Sequence, residues 1–342
     1  MKVKEAIARA VESESLSEEE AFSAMRCILR GEATPPQISS LITALRMKGE
    51  EIREITGFAR AMREESVRVN LPGVEIVDTC GTGGDSSNTF NISTASAFVV
   101  AGAGITVAKH GNRSVSSKCG SADVLQELGI NIMLGRAEAE KCLRSAGIAF
   151  LFAPVFHSAM KHAAVPRKEI GIRTIFNILG PLTNPAGAER QVLGVYNESL
   201  VEKMAYVLLN LGSKGAMVVY GRDRLDEISV SDDTLIAELK QGKVRTYIFN
   251  PGDYGIKKSG RNEISGGSAA DNAGFLEAVL SGKKDARRDV TVLNAAAGII
   301  AGGGAEDFRG GIKAAEESID SGRAMKKLEL LREVSDANKH SG

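Results

Sequence analysis

The residues of this chain that could do chemistry fall into four segments. The densest is Asp78-Thr79-Cys80-Gly81-Thr82-Gly83-Gly84-Asp85-Ser86-Ser87-Asn88-Thr89-Phe90-Asn91-Ile92-Ser93-Thr94. It follows an apolar run at 74–77 that reads as a strand, and it leads into a helical stretch at 95–101. Three glycines within residues 81–84 leave backbone N–H groups open to a ligand, and a helix start adds its positive end, so the geometry suits a phosphate. The surrounding hydroxyl and amide groups extend that to a sugar phosphate. No GK[ST] follows and the spacing is not GxGxxG, so this is neither a Walker loop nor a dinucleotide fingerprint.

The second segment, Lys109-His110-Gly111-Asn112-Arg113-Ser114-Val115-Ser116-Ser117-Lys118-Cys119-Gly120-Ser121-Ala122-Asp123, also follows a predicted strand, 105–108. It gathers cations, hydroxyls and glycines, as a polyphosphate site requires. Read singly it is equally a polar loop with Ser121 capping a helix over 122–128. In the third segment, Asp226 and Glu227 stand side by side after a predicted strand. Their oxygens suit a hard divalent cation whose shell a polyphosphate completes, although an acidic pair is also ordinary surface. The fourth, residues 165–185, carries Arg167 and an Ile-Phe-Asn-Ile-Leu core that ends in Gly-Pro and Asn-Pro, a helix closed by a rigid turn. Two phosphate-like loops at the carboxyl ends of strands favour the ligand reading, because open α/β sheets bind ligands at that edge.

The elements that must position these segments are legible from periodicity. Residues 1–66 read as helix only. Ser17 through Glu20 has capping-box spacing, Thr34-Pro35 starts a second helix that Gly49 stops, and 51–65 forms a third. From residue 74, apolar runs at 74–77, 105–108, 148–152, 191–195 and 216–220 alternate with helical patterns, which argues a largely parallel sheet. Residues 235–249 read as a β-hairpin about Gln241-Gly242. The end returns to helix at 292–300 and 308–333. The fold class expected is α/β: a small all-helical N-terminal domain, 1–70, with a helical contribution from about 165–185, and a large α/β domain, 71–342, with a mostly parallel central sheet and surrounding helices.

Composition narrows the function classes. The chain has 342 residues, with 43 Lys+Arg balanced by 43 Asp+Glu, so no global field attracts nucleic acid or anionic membrane. The longest apolar runs fall short of the roughly 20 residues of a membrane span. Four scattered cysteines without a CxxC pair argue against a disulfide framework or zinc site. The expectation is a soluble cytoplasmic protein.

Together the four segments resemble the anthranilate phosphoribosyltransferase family of the nucleoside phosphorylase/phosphoribosyltransferase fold. The motifs D-T-x-G-T-G-G-D-x-x-x-T-F-N-x-S-T, K-H-G-N-R-x-x-x-S-x-x-G-S-A-D, R-x-x-x-G-x-R-T-x-F-N-x-L-G-P-L-T-N-P and the Asp-Glu pair occur in that family's order. The resemblance implies a homodimer with its site in a cleft between the two domains, and transfer of the phosphoribosyl group of phosphoribosyl pyrophosphate to anthranilate in tryptophan biosynthesis. Carried over residue by residue, Gly81, Gly84, Asp85, Thr89, Asn91, Ile92, Ser93 and Thr94 hold phosphoribosyl pyrophosphate. So do Lys109, His110, Gly111, Asn112, Arg113, Ser114, Val115, Ser116, Ser117 and Ser121. Gly81, Asn112 and Arg167 contact anthranilate, while Ser93, Asp226 and Glu227 bind magnesium, two ions in all. Lys109, Asp226 and Glu227 carry catalysis by stabilising the leaving pyrophosphate. Two rivals share the fold. A pyrimidine nucleoside phosphorylase has a related HGNR-x-x-S loop, but the chain is short for it and the acidic pair argues against it. A non-catalytic nucleic-acid-binding relative would show a basic excess, which this chain lacks.

Overall fold

Local capping chemistry sets the first helices of the computed structural model, which describes residues 2–85, 87–113 and 119–336. Helices α1 (Val3–Val11), α2 (Glu18–Leu29), α3 (Pro35–Lys48) and α4 (Ile52–Glu64) pack into a bundle. The Ser17 hydroxyl accepts from Glu20 N and the Glu20 carboxylate accepts from Ser17 N; Thr34 and Gln37 repeat the exchange at α3. Glu54, fully buried, accepts from Leu16 N and Glu51 N and pairs with Lys48 at 2.8 Å. It ties the start of α2, the end of α3 and the start of α4 together.

Seven strands form one sheet: β1 (Ile76–Gly81), β2 (Thr106–Gly111), β3 (Ile148–Phe152), β4 (Arg190–Gly194), β5 (Gly215–Gly221), β6 (Thr234–Lys240) and β7 (Lys243–Phe249). Their order is β3-β2-β1-β4-β5-β6-β7. The first five run parallel; β6 and β7 pair antiparallel through Gln241 and Gly242, both at positive φ, the conformation a two-residue hairpin needs. Alternation along the strands divides the apolar residues between two cores. Val192, Met217, Val219 and Ile236 face one; Leu193, Ala216, Val218 and Ala237 face the other.

The first core is covered by α5 (Ile92–Gly102), α6 (Ser121–Glu127), α7 (Arg136–Ala146) and the short α8 (Ala153–Phe156). The second belongs jointly to the N-terminal bundle, α9 (Lys161–Ile170), α10 (Phe176–Leu179) and α11 (Leu200–Asn210). Helices α12 (Ala269–Leu280), α13 (Ala286–Ala301), α14 (Phe308–Asp320) and α15 (Arg323–Asp336) return to the first. Arg63 on α4 stitches the bundle to the rest, donating to Leu182 O at 2.7 Å and Leu211 O at 3.3 Å.

Three expectations need correction. Strands β1 and β2 run on through Asp78–Gly81 and Lys109–Gly111, because parallel strands keep their ladder past the point where the apolar run stops. The single helix expected at 308–333 is two, α14 and α15, broken at Ser321 and Gly322, the latter at φ 75°. Ser121 does not cap α6: it is the first residue of that helix, and its hydroxyl donates to Asn112 O at 3.2 Å. Among the described residues, no helix is long and apolar enough to cross a membrane.

Candidate active site at the carboxyl edge of the sheet

The chain leaves β1 toward β2 and β3 on one side, whereas β4 and β5 lie on the other. Diverging connections open a crevice between β1 and β4 at their carboxyl ends. The glycine-rich segment leaves from β1, the Lys109 segment from β2 and the acidic pair from the turn after β5, so three distant stretches meet there. Gly83 N donates to Asp226 Oδ2 at 2.8 Å across 143 residues. Thr82 N donates to Gly194 O at 2.9 Å, and Tyr196 N to Thr82 Oγ1 at 3.1 Å. Asp226 N in turn donates to Asp85 Oδ2 at 3.4 Å. Close approach explains two glycines. A Cβ on Gly194 would collide with the Asp226 carbonyl, and one on Gly81 would stand 2.6 Å from Asp226 Oδ2.

Beneath the loop lies a buried charged cluster. Lys109, 4% exposed, donates from Nζ to Thr79 O and to Ser93 Oγ, the latter at 3.2 Å. Burial pushes the Glu227 carboxyl up to about 7, against the opposing pull of Lys109 and the Ser93 N–H and hydroxyl. Asp226 is raised well above the ordinary carboxylate range by burial, then by the charges of Asp85 and Glu227. Burial also raises Asp78 to about 6; its Oδ1 accepts from His110 N at 3.1 Å and its Oδ2 has no partner. Several carboxyls share this region with one ammonium, a charge balance that a cation would correct.

The oxygen donors Ser93, Asp226 and Glu227 suit magnesium. Among the described residues, no three Asp, Glu, His or Cys side chains converge on one point. One or two carboxylates suffice for magnesium when substrate phosphates and water supply the rest of its shell.

The other expected donor contacts divide by what the fold leaves free. Buried Asn91 Oδ1 and Thr94 Oγ1 have no partner. Asn91 Nδ2 donates to Cys119 O at 3.4 Å, which joins the two phosphate-like loops. Gly84 sits at φ 76° and Thr89 bridges to Ser265. The Ile92 side chain is core, and its N–H already donates to Phe90 O at 2.8 Å. Asn112 Oδ1 accepts from Arg113 N, and Arg113 pairs with Asp123 at 2.7 Å beside Gly111 and Ser121. Ser114, Val115, Ser116 and Ser117 lie outside the described residues.

His110 turns its ring away from solvent, 5.1 Å from that of His157, and burial lowers both, to about 3 and about 4. Both Nε2 atoms are unpartnered, which fits two neutral rings at pH 7. Arg167, on α9, lies 4.9 Å over the Phe176 ring, and burial alone lowers its pKa. Among the described residues it has no carboxylate partner. A desolvated guanidinium without an acid is poised for an anionic ligand.

Sequence reasoning passed over three residues. Arg173 donates to Gly84 O while stacked 4.5 Å over Tyr196, and so reaches the glycine loop from the α9–α10 connection. His157 pairs with His110. Asn294, buried on α13, accepts from Ile228 N at 2.8 Å and donates to Ile228 O at 2.9 Å, bracing the residue after Glu227. Asn294 stands in Val292-Leu293-Asn294-Ala295-Ala296-Ala297, a stretch otherwise apolar, and an amide in such a stretch is the one available signal.

Known proteins share this arrangement. The model of the glycosyl transferase family a/b domain matches residues 73–325, and that of the family's helical bundle domain matches residues 4–66. An anthranilate phosphoribosyltransferase of Desulforamulus reducens is 55% identical over 333 residues, covering 97% of this chain and 96% of that protein. The Pelotomaculum thermopropionicum protein of the same name is 54% identical, again covering 97% and 96%. The crystal structure of the Thermus thermophilus enzyme superposes with a TM-score of 0.92 at 38% identity, over 97% of this chain and 99% of that one. The Saccharomyces cerevisiae enzyme in complex with phosphoribosyl pyrophosphate and magnesium gives a TM-score of 0.90 at 29% identity, over 98% of each chain. Matched along its length in both sequence and fold, the chain belongs to the anthranilate phosphoribosyltransferase family.

Proposed function

We propose that this chain joins the amine of anthranilate to the anomeric carbon of phosphoribosyl pyrophosphate at the β1/β4 crevice, releasing pyrophosphate. The observation that carries the reading is the meeting of Gly83, Lys109, Ser93, Asp226 and Glu227 at one sheet edge. A glycine loop and a buried lysine suit the pyrophosphate, and crowded carboxyls call for the cation that accompanies it. Arg167 takes the anthranilate carboxylate, since its planar fork matches two oxygens, and Gly81 and Asn112 complete that subsite.

In the reaction, the C–N bond forms as the C–O bond to pyrophosphate breaks, and positive charge develops on the ribose ring. The aromatic amine is neutral at pH 7 and attacks without a strong base; its surplus proton passes to the departing phosphate or to water. Lys109 and the backbone amides of Gly84 and Asp85 face the charge that grows on the leaving group. Magnesium, when bound, neutralises the pyrophosphate and eases its departure. Ser93 with Glu227, and Asp226 with Asp85, form two oxygen clusters, which suits two ions. We also read the protein as a cytoplasmic homodimer with domains 1–70 (plus about 165–185) and 71–342, on the strength of its family and of the core that α9–α11 share with the N-terminal bundle.

The test follows loss of anthranilate fluorescence in the presence of phosphoribosyl pyrophosphate and magnesium, together with pyrophosphate release. Equal rates of the two support the reading. Phosphorolysis of a pyrimidine nucleoside with no anthranilate turnover would replace it with the phosphorylase alternative.

A further inference from the structure

Residues 264–267 lie outside all four chemistry-bearing segments, yet they run antiparallel along the glycine-rich one. Phe90 N donates to Ile264 O at 3.1 Å, Gly266 N donates to Asn88 O at 2.8 Å, and Thr89 bridges to Ser265. Two helices hold this stretch from behind. Arg287 on α13 donates to Ser265 O at 2.9 Å with its guanidinium 3.9 Å over the Phe275 ring. Asn272 on α12, 2% exposed, accepts from Gly267 N at 2.9 Å and also faces the Cys119 thiol of the second loop.

We propose that residues 264–266 are a strap that presets the backbone of Asn88, Thr89 and Phe90 for the phosphoribosyl donor, with Gly266 and Arg287 as positioning residues. The proposal rests on the donor reading of that loop. Asn88 is held at φ 51°, a conformation a free loop would seldom keep, and the strap supplies its carbonyl with a donor. A loop ordered in advance spares the binding step the entropy of ordering it. Gly266 is required for closeness: a Cβ there would stand 2.6 Å from Thr89 O and 2.9 Å from Phe90 N. Both are backbone atoms of the donor loop, so the strap or the loop must move. Arg287 keeps the strap from retreating.

The experiment compares wild type, Gly266→Ala, Arg287→Gln and Ser268→Ala by calorimetric binding of phosphoribosyl pyrophosphate with magnesium, by both Michaelis constants and by Tm. Ser268 caps α12 through Asp271 N and Asp271 Oδ2, so its loss costs stability without touching the donor loop. The expected result is a donor dissociation constant and donor KM raised about ten- to a hundred-fold in Gly266→Ala, on the scale of an ångström-sized misplacement. A smaller rise is expected in Arg287→Gln, with the anthranilate KM unchanged in both. Ser268→Ala should lower Tm and bind donor normally. Unchanged donor affinity in Gly266→Ala overturns the strap, as does an equal loss in Ser268→Ala. Should Gly266→Ala fail to fold, Arg287→Gln is judged by the same criterion. A wild type that binds no donor overturns the donor reading itself, a result distinguishable from the others.

Discussion

Truncating Asn294 to Ala tests how the acidic pair is held. The amide accepts from Ile228 N at 2.8 Å and donates to Ile228 O and Val290 O, both at 2.9 Å. Ile228 is fully buried, so Ala leaves its N–H and C=O without the partner they had and without water. An unsatisfied buried group costs about 1–3 kcal/mol; with two such groups, and Val290 O still served by its own helix, the loss comes to about 2–6 kcal/mol of folding free energy. Because Ile228 follows Glu227 directly, the freed backbone also lets that carboxylate drift. Urea denaturation gives the stability loss. A magnesium titration of turnover, at a temperature where the variant is folded, gives the second effect: a half-activating concentration raised about tenfold or more, the scale of lost support around a metal ligand. A stability change below about 1 kcal/mol with an unchanged magnesium requirement would refute the brace, because two buried groups cannot lose their partners at no cost.

Arg167→Ala should raise the anthranilate KM about ten- to a hundred-fold, the worth of a charge-assisted hydrogen bond of about 1.5–3 kcal/mol, and leave the donor KM in place. An effect confined to the donor would put Arg167 in the wrong subsite. The metal-free protein should lose stability between about pH 4 and pH 7. The carboxyls of Asp78 and Glu227 are raised in the folded state to about 6 and about 7, so their contribution is complete below their ordinary pKa and disappears as pH rises through those values. Magnesium binds the ionised forms and should raise Tm more at pH 8 than at pH 5.5; equal shifts would argue that it binds elsewhere, and Glu227→Gln should flatten the upper part of the slope. Arg224, exposed at φ 70° in the turn before Asp226, should gain from Arg224→Gly. Relief of about 1–2 kcal/mol of left-handed strain exceeds the roughly 0.5–1 kcal/mol of added unfolded-chain entropy, and thermal denaturation showing a lower Tm would contradict that balance.

What the sequence determined by itself is whatever physics settles within a few residues. Ser17 and Thr34 declare their helices because an N-cap satisfies N–H groups two or three positions on. Gln241-Gly242 declares its hairpin because only certain residues accept two successive positive φ values. The glycine, hydroxyl and lysine content of 78–94 and 109–123 announced a phosphate surface without any knowledge of where the two loops would lie. Tertiary structure decided the rest. It placed β4 beside β1 and brought Asp226 under Gly83 from 143 residues away, which turned an ordinary acidic pair into half-buried, raised carboxyls. It took His110 out of the second loop and buried its ring against His157, with the pKa lowered to about 3. It gave Asn272, Arg287 and Asn294 their tasks. A cap or a turn acts on its own neighbours and so leaves a local pattern, whereas a buried amide or guanidinium acts on backbone far away in sequence, and its partner exists only once the sheet and its helices have assembled around it.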